Sequence, residues 1–146
     1  IGTIVAPPDV TDAIRKVHDF LTVGAPAPLQ EGVAVALEAL GPEYYSGLAA
    51  SYRARRDLMY AGLVEAGFRC APPAGAYYIL ADFSDISSQR DDEFAERLVR
   101  EVGVASVPGS SFYSRPQDGR TMVRFAFCKT EELLAEAARR LGGIRD

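Results

Sequence analysis

Arg124 is the one charged residue in TMVRFAFC, residues 121–128, a run that otherwise has the apolar, β-rich character of a buried strand. An ionised side chain in such a setting costs several kcal/mol unless it is paired and hydrogen-bonded. The planar guanidinium donates two parallel hydrogen bonds to a carboxylate, which an ammonium cannot reproduce, so arginine suits the reading of amino-acid and keto-acid carboxylates. Two partners satisfy this requirement. One is a ligand carboxylate; the other is an internal ion pair with Asp82 or a nearby glutamate.

The other reactive residue types are sparse. Cys70 and Cys128 stand far apart and His18 is the single histidine, so the chain cannot assemble a Cys/His zinc cluster by itself. Both cysteines read as small core residues, and His18 as a structural residue of an amphipathic helix. The only lysines are Lys16 and Lys129. A lysine that forms a Schiff base needs a partly desolvated, electropositive site. Lys16 instead lies beside Arg15 on the polar side of a helical pattern, and Lys129 sits at a strand-to-helix corner, so both are expected in water. Tyr77, Tyr78, Phe112 and Tyr113 suit an aromatic-lined pocket or, equally, half-buried packing.

These residues belong to a chain of 146, long enough for one sizeable core, with 48% apolar and 25% charged residues. Sixteen basic against twenty acidic residues leave a net charge of −4, and the densest basic cluster is Arg53, Arg55 and Arg56. Nucleic-acid binding is therefore not expected. No apolar run approaches the eighteen or so residues of a membrane-spanning helix, and the N-terminus has no signal-peptide pattern. The expected location is the cytoplasm.

The elements that would position Arg124 follow from periodicity. IGTIVA, residues 1–6, reads as a strand and begins at a residue other than methionine, so the chain is expected to start in the middle of something. Pro7-Pro8 then opens a helix with Val10, Ile14, Val17 and Leu21 on one stripe. TVGAPAPLQ, residues 22–30, reads as a loop, and VAVALEAL, residues 33–40, as a short apolar helix that must be buried between layers, stopped by Gly41-Pro42. From Glu43 to about Ala66 runs a helical pattern with Tyr45, Leu48, Tyr52, Met59 and Leu63 aligned, roughly 36 Å long and suited to linking two domains. Gly67 caps it. Strands are expected at residues 68–71, 76–82, 104–107 and 122–127. A helix over residues 91–101 turns Phe94, Leu98 and Val99 inward, and a last helix from about Thr130 presents Leu133, Leu134, Ala137, Ala138 and Leu141. Such a mixture indicates an α/β or α+β layer domain.

In this order the pieces resemble the C-terminal third of class I aminotransferases, pyridoxal-phosphate enzymes of fold type I. IGTIVAPPDVTDAIRKVHDFLT, SYRARRDLMYAGLVEAGF, PPAGAYYILADFS and GVASVPGSSFY followed by VRFAFCKTEE carry the likeness. The resemblance implies the small domain of the fold type I transferase, residues 42–146, with a long linking helix, preceded by a remnant of the large cofactor-binding domain, residues 1–41. It implies that Arg124 binds the substrate α-carboxylate and that Tyr77 lies near the substrate pocket, with Gly75 permitting close backbone approach. It also implies that TVGAPAPLQ approaches the neighbouring subunit's active site in a homodimer.

The family's Schiff-base lysine, in a serine-rich segment just upstream of a strand like IGTIVA, has no counterpart here. The expectation is thus a fragment of an amino-acid aminotransferase acting on an amino acid and a 2-oxo acid, inactive alone, with pyridoxal 5'-phosphate bound only in the intact parent. No residue here is assigned to the cofactor. A carbon–sulfur lyase of the same fold type, the ligand-sensing domain of a transcription regulator, and an independent carboxylate-binding module are the alternatives.

Overall fold

The computed structural model describes residues 1–144 and divides the chain into two compact units, Ile1–Ser46 and Gly47–Asp146. The first unit holds helix α1 (Pro8–Leu21), helix α2 (Ala27–Ala39) and the start of α3 (Pro42–Glu65). Proline at the first positions of α1 and α2 presets the helical φ and forfeits only amides that have no intrahelical acceptor. Residues 1–6 are not a strand: the unit contains no strand to pair with them, and an extended segment without a ladder partner has no sheet to join. The loop before α2 is shorter than expected, because Pro26 starts the helix at Ala27.

Neither α1 nor α2 has a buried residue. This corrects the expectation for the apolar helix: Leu29, Val35 and Leu37 are exposed, since the unit offers no sheet layer to cover them.

The second unit is built on a three-stranded antiparallel sheet ordered β1-β3-β2, from β1 (Tyr78–Asp82), β2 (Val107–Pro108) and β3 (Met122–Ala126). Helix α4 (Asp91–Arg97) and a π-helical turn, Leu98–Val102, lie between β1 and β2 in sequence. The central strand β3 is therefore inserted between two strands joined by a helical connection, a split β-α-β arrangement. Residues 68–71 form no strand beyond the reciprocal backbone bonds of Arg69 and Asp82, both 2.9 Å. Before β2, Val104 is buried without a ladder of its own.

Alternation along the strands sends Ile79, Ala81, Val123 and Phe125 to one face, where they are buried. Met59 and Leu63 of α3, Phe94 of α4 and Leu134 and Leu141 of α5 (Glu131–Leu141) complete the same core. Phe83 stacks on Phe94 with ring centroids 4.1 Å apart, and Phe68 meets Phe125 edge-on at 5.5 Å. Each such ring contributes about 1.5–3 kcal/mol by leaving water. Tyr45, Leu48, Val99 and Leu133, expected on inward stripes, are exposed instead. For Val99 the cause is local: the π-helical turn changes the residue spacing, so Leu98 is buried and Val102 packs against the core while Val99 stays exposed.

The end of α3 follows the expectation for Gly67. Its φ of 95° lets the Phe68 amide reach the Leu63 carbonyl at 3.0 Å while its own amide reaches Val64 at 3.0 Å. That double closure satisfies the last carbonyls and turns the chain toward the sheet. At α5, the Thr130 hydroxyl accepts from the Leu133 amide, while Glu131 and Glu132 in the first turn and Arg139 and Arg140 in the last complement the helix dipole.

Among the described residues no helix is long and apolar enough to cross a membrane.

Candidate functional site

Since Val123 and Phe125 face the core, Met122, Arg124 and Ala126 must face the other side of the sheet. Arg124 stands opposite Leu80 of β1 and Val107 of β2, on the central strand with a neighbour on each flank. Its position in the middle of the sheet leaves the side chain half-buried.

Among the described residues no side-chain hydrogen bond or ion pair involves the Arg124 guanidinium. The internal partner that the sequence offered is engaged elsewhere: Asp82 accepts from Arg69 Nη2 at 2.8 Å and from the Ser84 amide at 2.8 Å. Burial disfavours the charged form of Asp82, but these hydrogen bonds outweigh it and hold the carboxyl below the ordinary carboxylate range. The same hydrogen bond raises the pKa of Arg69.

Two aromatic rings approach the Arg124 guanidinium instead. Its central carbon lies 4.3 Å from the centroid of Phe112 and 4.9 Å from that of Tyr78. Attraction of a cation to the ring face contributes about 0.5–2 kcal/mol per ring without using the N–H donors. The group is thus restrained while its five N–H bonds stay available to a planar acceptor.

The segment bearing Phe112 is set by backbone contact. After β2 the chain makes a 3₁₀ turn, Gly109–Phe112, and a second one, Pro116–Gly119. A Cβ on Gly109 would stand 2.6 Å from the carbonyl oxygens of Gly119 and Met122, and one on Gly119 would stand 2.5 Å from the Gly109 carbonyl. Glycine at both positions is what allows the turns to touch. By sequence Phe112 is one of four aromatics that suit a pocket wall or half-buried packing; its place against Arg124 depends on this long-range contact, which has no periodic signature.

Tyr77, the other residue singled out, is exposed and meets Tyr78 edge-on with centroids 5.5 Å apart, one ring removed from the guanidinium. Gly75 makes no close approach, since nothing lies within 4 Å of where its Cβ would stand. The left-handed residue of this segment is Ala76, with φ 62°, directly before Tyr77.

Two clefts in this unit, of about 440 and 250 Å³, are lined by residues such as Val104, Leu133 and Arg140 in one and Tyr52, Arg53 and Gly75 in the other. Arg124 lines neither and stands on the open face of the sheet. The geometry of the arginine carries more chemical meaning than the size of either cleft.

Lys16 and Lys129 are both exposed, as expected, the first on α1 and the second in the corner before α5. Neither fits the partly desolvated setting that an imine-forming lysine requires. Cys70 and Cys128 are free and half-buried, and burial raises the Cys70 thiol above its ordinary pKa, which makes it a poor nucleophile. The described residues hold no cluster of metal-ligating side chains.

The model of the family "Aminotransferase class I and II" matches residues 1–141. Methionine aminotransferase of Escherichia coli is 38% identical over 97% of this chain and 36% of its own length. A probable N-succinyldiaminopimelate aminotransferase of Mycobacterium tuberculosis is 35% identical over 100% of this chain and 38% of its own. Among solved structures, the N-succinyldiaminopimelate aminotransferase of M. tuberculosis superposes with a TM-score of 0.81 at 35% identity, covering 95% of this chain and 36% of that one. The E. coli structure whose methionine aminotransferase function was identified superposes at 0.78 with 38% identity, covering 94% of this chain and 36% of that one. The chain thus spans little more than a third of the length of these relatives.

Proposed function

The chain belongs to the class I and II aminotransferase family, and from that premise we propose that it supplies the substrate-carboxylate contact of an amino-acid aminotransferase. The reaction would move an amino group between an amino acid and a 2-oxo acid. The family depends on pyridoxal phosphate, whose chemistry is that of an electron sink. No residue of this chain fits the lysine that such chemistry requires, so catalysis would need the remainder of a longer polypeptide.

One observation carries the reading: Arg124 is half-buried at mid-strand, has no carboxylate partner among the described residues, and is restrained by Phe112 and Tyr78. A half-buried guanidinium whose N–H donors are free can donate two parallel hydrogen bonds to a planar anion. Amino donor and oxo acceptor share an α-carboxylate, so one arginine serves both half-reactions. Tyr77, beside Tyr78, would extend the aromatic wall toward the substrate side chain.

The division that goes with this reading assigns residues 1–41 to a large cofactor-binding domain and 42–146 to the small domain. The exposed apolar residues of α2 support it, because they call for a covering layer. The assembly would be a cytoplasmic homodimer.

The test is Arg124→Lys in the full-length protein. Loss of the two-pronged contact should raise KM for both amino acid and 2-oxo acid about tenfold or more with a smaller change in kcat. Unaltered KM values for both substrates would overturn the assignment. The chain alone, mixed with pyridoxal phosphate and common amino acids, should give no turnover above free cofactor.

A further inference from the structure

Asp91, the first residue of α4, is the one charged or polar side chain that the described fold buries, with 2% of its surface exposed. A carboxylate so placed needs a hydrogen-bond donor. Its Oδ2 accepts from the Ser110 amide at 2.8 Å, across nineteen residues of sequence. Ser110 belongs to the Gly109–Phe112 turn, and Phe112 is the ring lying 4.3 Å from the Arg124 guanidinium. Asp91, Ser110, Phe112 and Arg124 thus form one continuous physical connection from the buried start of a helix to the open face of the sheet.

We propose that Asp91 is a positioning residue for carboxylate recognition: by holding the Ser110 amide it seats the 3₁₀ turn, and the turn in its place sets the Phe112 ring against Arg124. The inference rests on the reading of Arg124 as the carboxylate-binding group. Its physical content is preorganisation. An arginine side chain has many rotamers, and one without an acidic neighbour is ordered before substrate arrives only if something else restrains it. The aromatic contact does this without occupying the N–H donors. The glycine contact between the two turns cannot do it alone, because it opposes closer approach but supplies no attraction of its own, whereas a charge-assisted hydrogen bond is directional.

The test is a set of variants in the full-length protein, with hexanoate, a monocarboxylate without an amino group, as a direct probe of the site. Asp91→Ala should raise KM for both amino acid and 2-oxo acid, and the inhibition constant of hexanoate, about threefold to tenfold, with kcat within about twofold. Asp91→Asn keeps an oxygen acceptor for the Ser110 amide and should recover most of the affinity. Phe112→Leu should reproduce the Asp91→Ala effect, and the double variant should be no worse than Phe112→Leu alone, since both changes act through the same ring. A purely structural role would give independent, additive losses and no such coupling. If Asp91→Ala fails to fold, Asp91→Asn combined with Phe112→Leu measures the same coupling at smaller amplitude. Additive effects, or an Asp91→Ala protein with unchanged hexanoate binding beside a strongly weakened Arg124→Lys, would overturn the positioning role and leave the Arg124 reading standing. Hexanoate binding unchanged in Arg124→Lys would overturn both.

Discussion

Arg69 donates to Asp82 at 2.8 Å, and this ion pair decides the chemistry of a different arginine. Asp82 lies on the same face of β1 as Leu80, which stands opposite Arg124, and it was the internal partner that the sequence offered for the guanidinium. With the carboxylate committed to Arg69 and to the Ser84 amide, Arg124 keeps its donors.

The Asp82 pairing has a pH signature. Its folded-state pKa lies below the ordinary value, so the ionised form stabilises the fold. For a depressed carboxyl, that stabilisation is complete above the unfolded-state value, about 3.9, and is lost as pH falls through the lower folded-state value. Asp82→Asn should cost roughly 1 kcal/mol at neutral pH, and the gap to the parent should close as pH drops below about 4. Urea unfolding at pH 7 and pH 3 reads this directly; a gap that persists unchanged at pH 3 would assign the loss to packing instead.

Gly109→Ala should be among the most damaging single-methyl changes in the second unit. The new Cβ would meet two carbonyl oxygens at 2.6 Å, and both belong to backbone that cannot swing aside. Overpacking of this kind costs about 1–3 kcal/mol. Thermal unfolding followed by circular dichroism should show a midpoint lower by several degrees, and the displaced turn should weaken hexanoate binding as well. A variant as stable as the parent would mean that the two turns do not touch in solution.

Leu37→Glu tests the assignment of the first unit. Leu37 is 65% exposed here, so the substitution should change the unfolding free energy of this chain by no more than about 0.5 kcal/mol. In the full-length protein, where the proposed large domain would cover α2, the same charge would be buried and should cost 2 kcal/mol or more, by the rough scale for an unpaired buried charge. Equal tolerance in both settings would remove the support that α2 gives to the domain division.

Much of the second unit was legible before any coordinates. Gly67 as a helix stop, Thr130 with acidic residues as a helix start, and the apolar alternation around Arg124 are signals carried by neighbouring residues, and each corresponds to the element found. Residues 1–6 were misread because a strand is a property of two segments. Their β-branched composition fits a pleated sheet, but no strand of their own unit offers a ladder. Burial too requires a second surface, and within this chain none covers the apolar helix at residues 33–40. Gly75 makes no close backbone approach, since nothing lies within 4 Å of where its Cβ would stand, and proximity of that kind leaves no mark in composition.

The family, the helices that begin and end on local caps, and the presence of one arginine in an apolar strand are all legible along the chain, because each depends on residues close together in it. Folding in three dimensions is what pairs Asp82 with Arg69, brings Phe112 rather than Tyr77 to the guanidinium together with Tyr78, and buries Asp91 against Ser110. These pairings span from twelve to forty-six residues of chain. Their partners are chosen by sheet register, by contact between two glycine turns and by the exclusion of water, and none of these is a local property of the residues that meet.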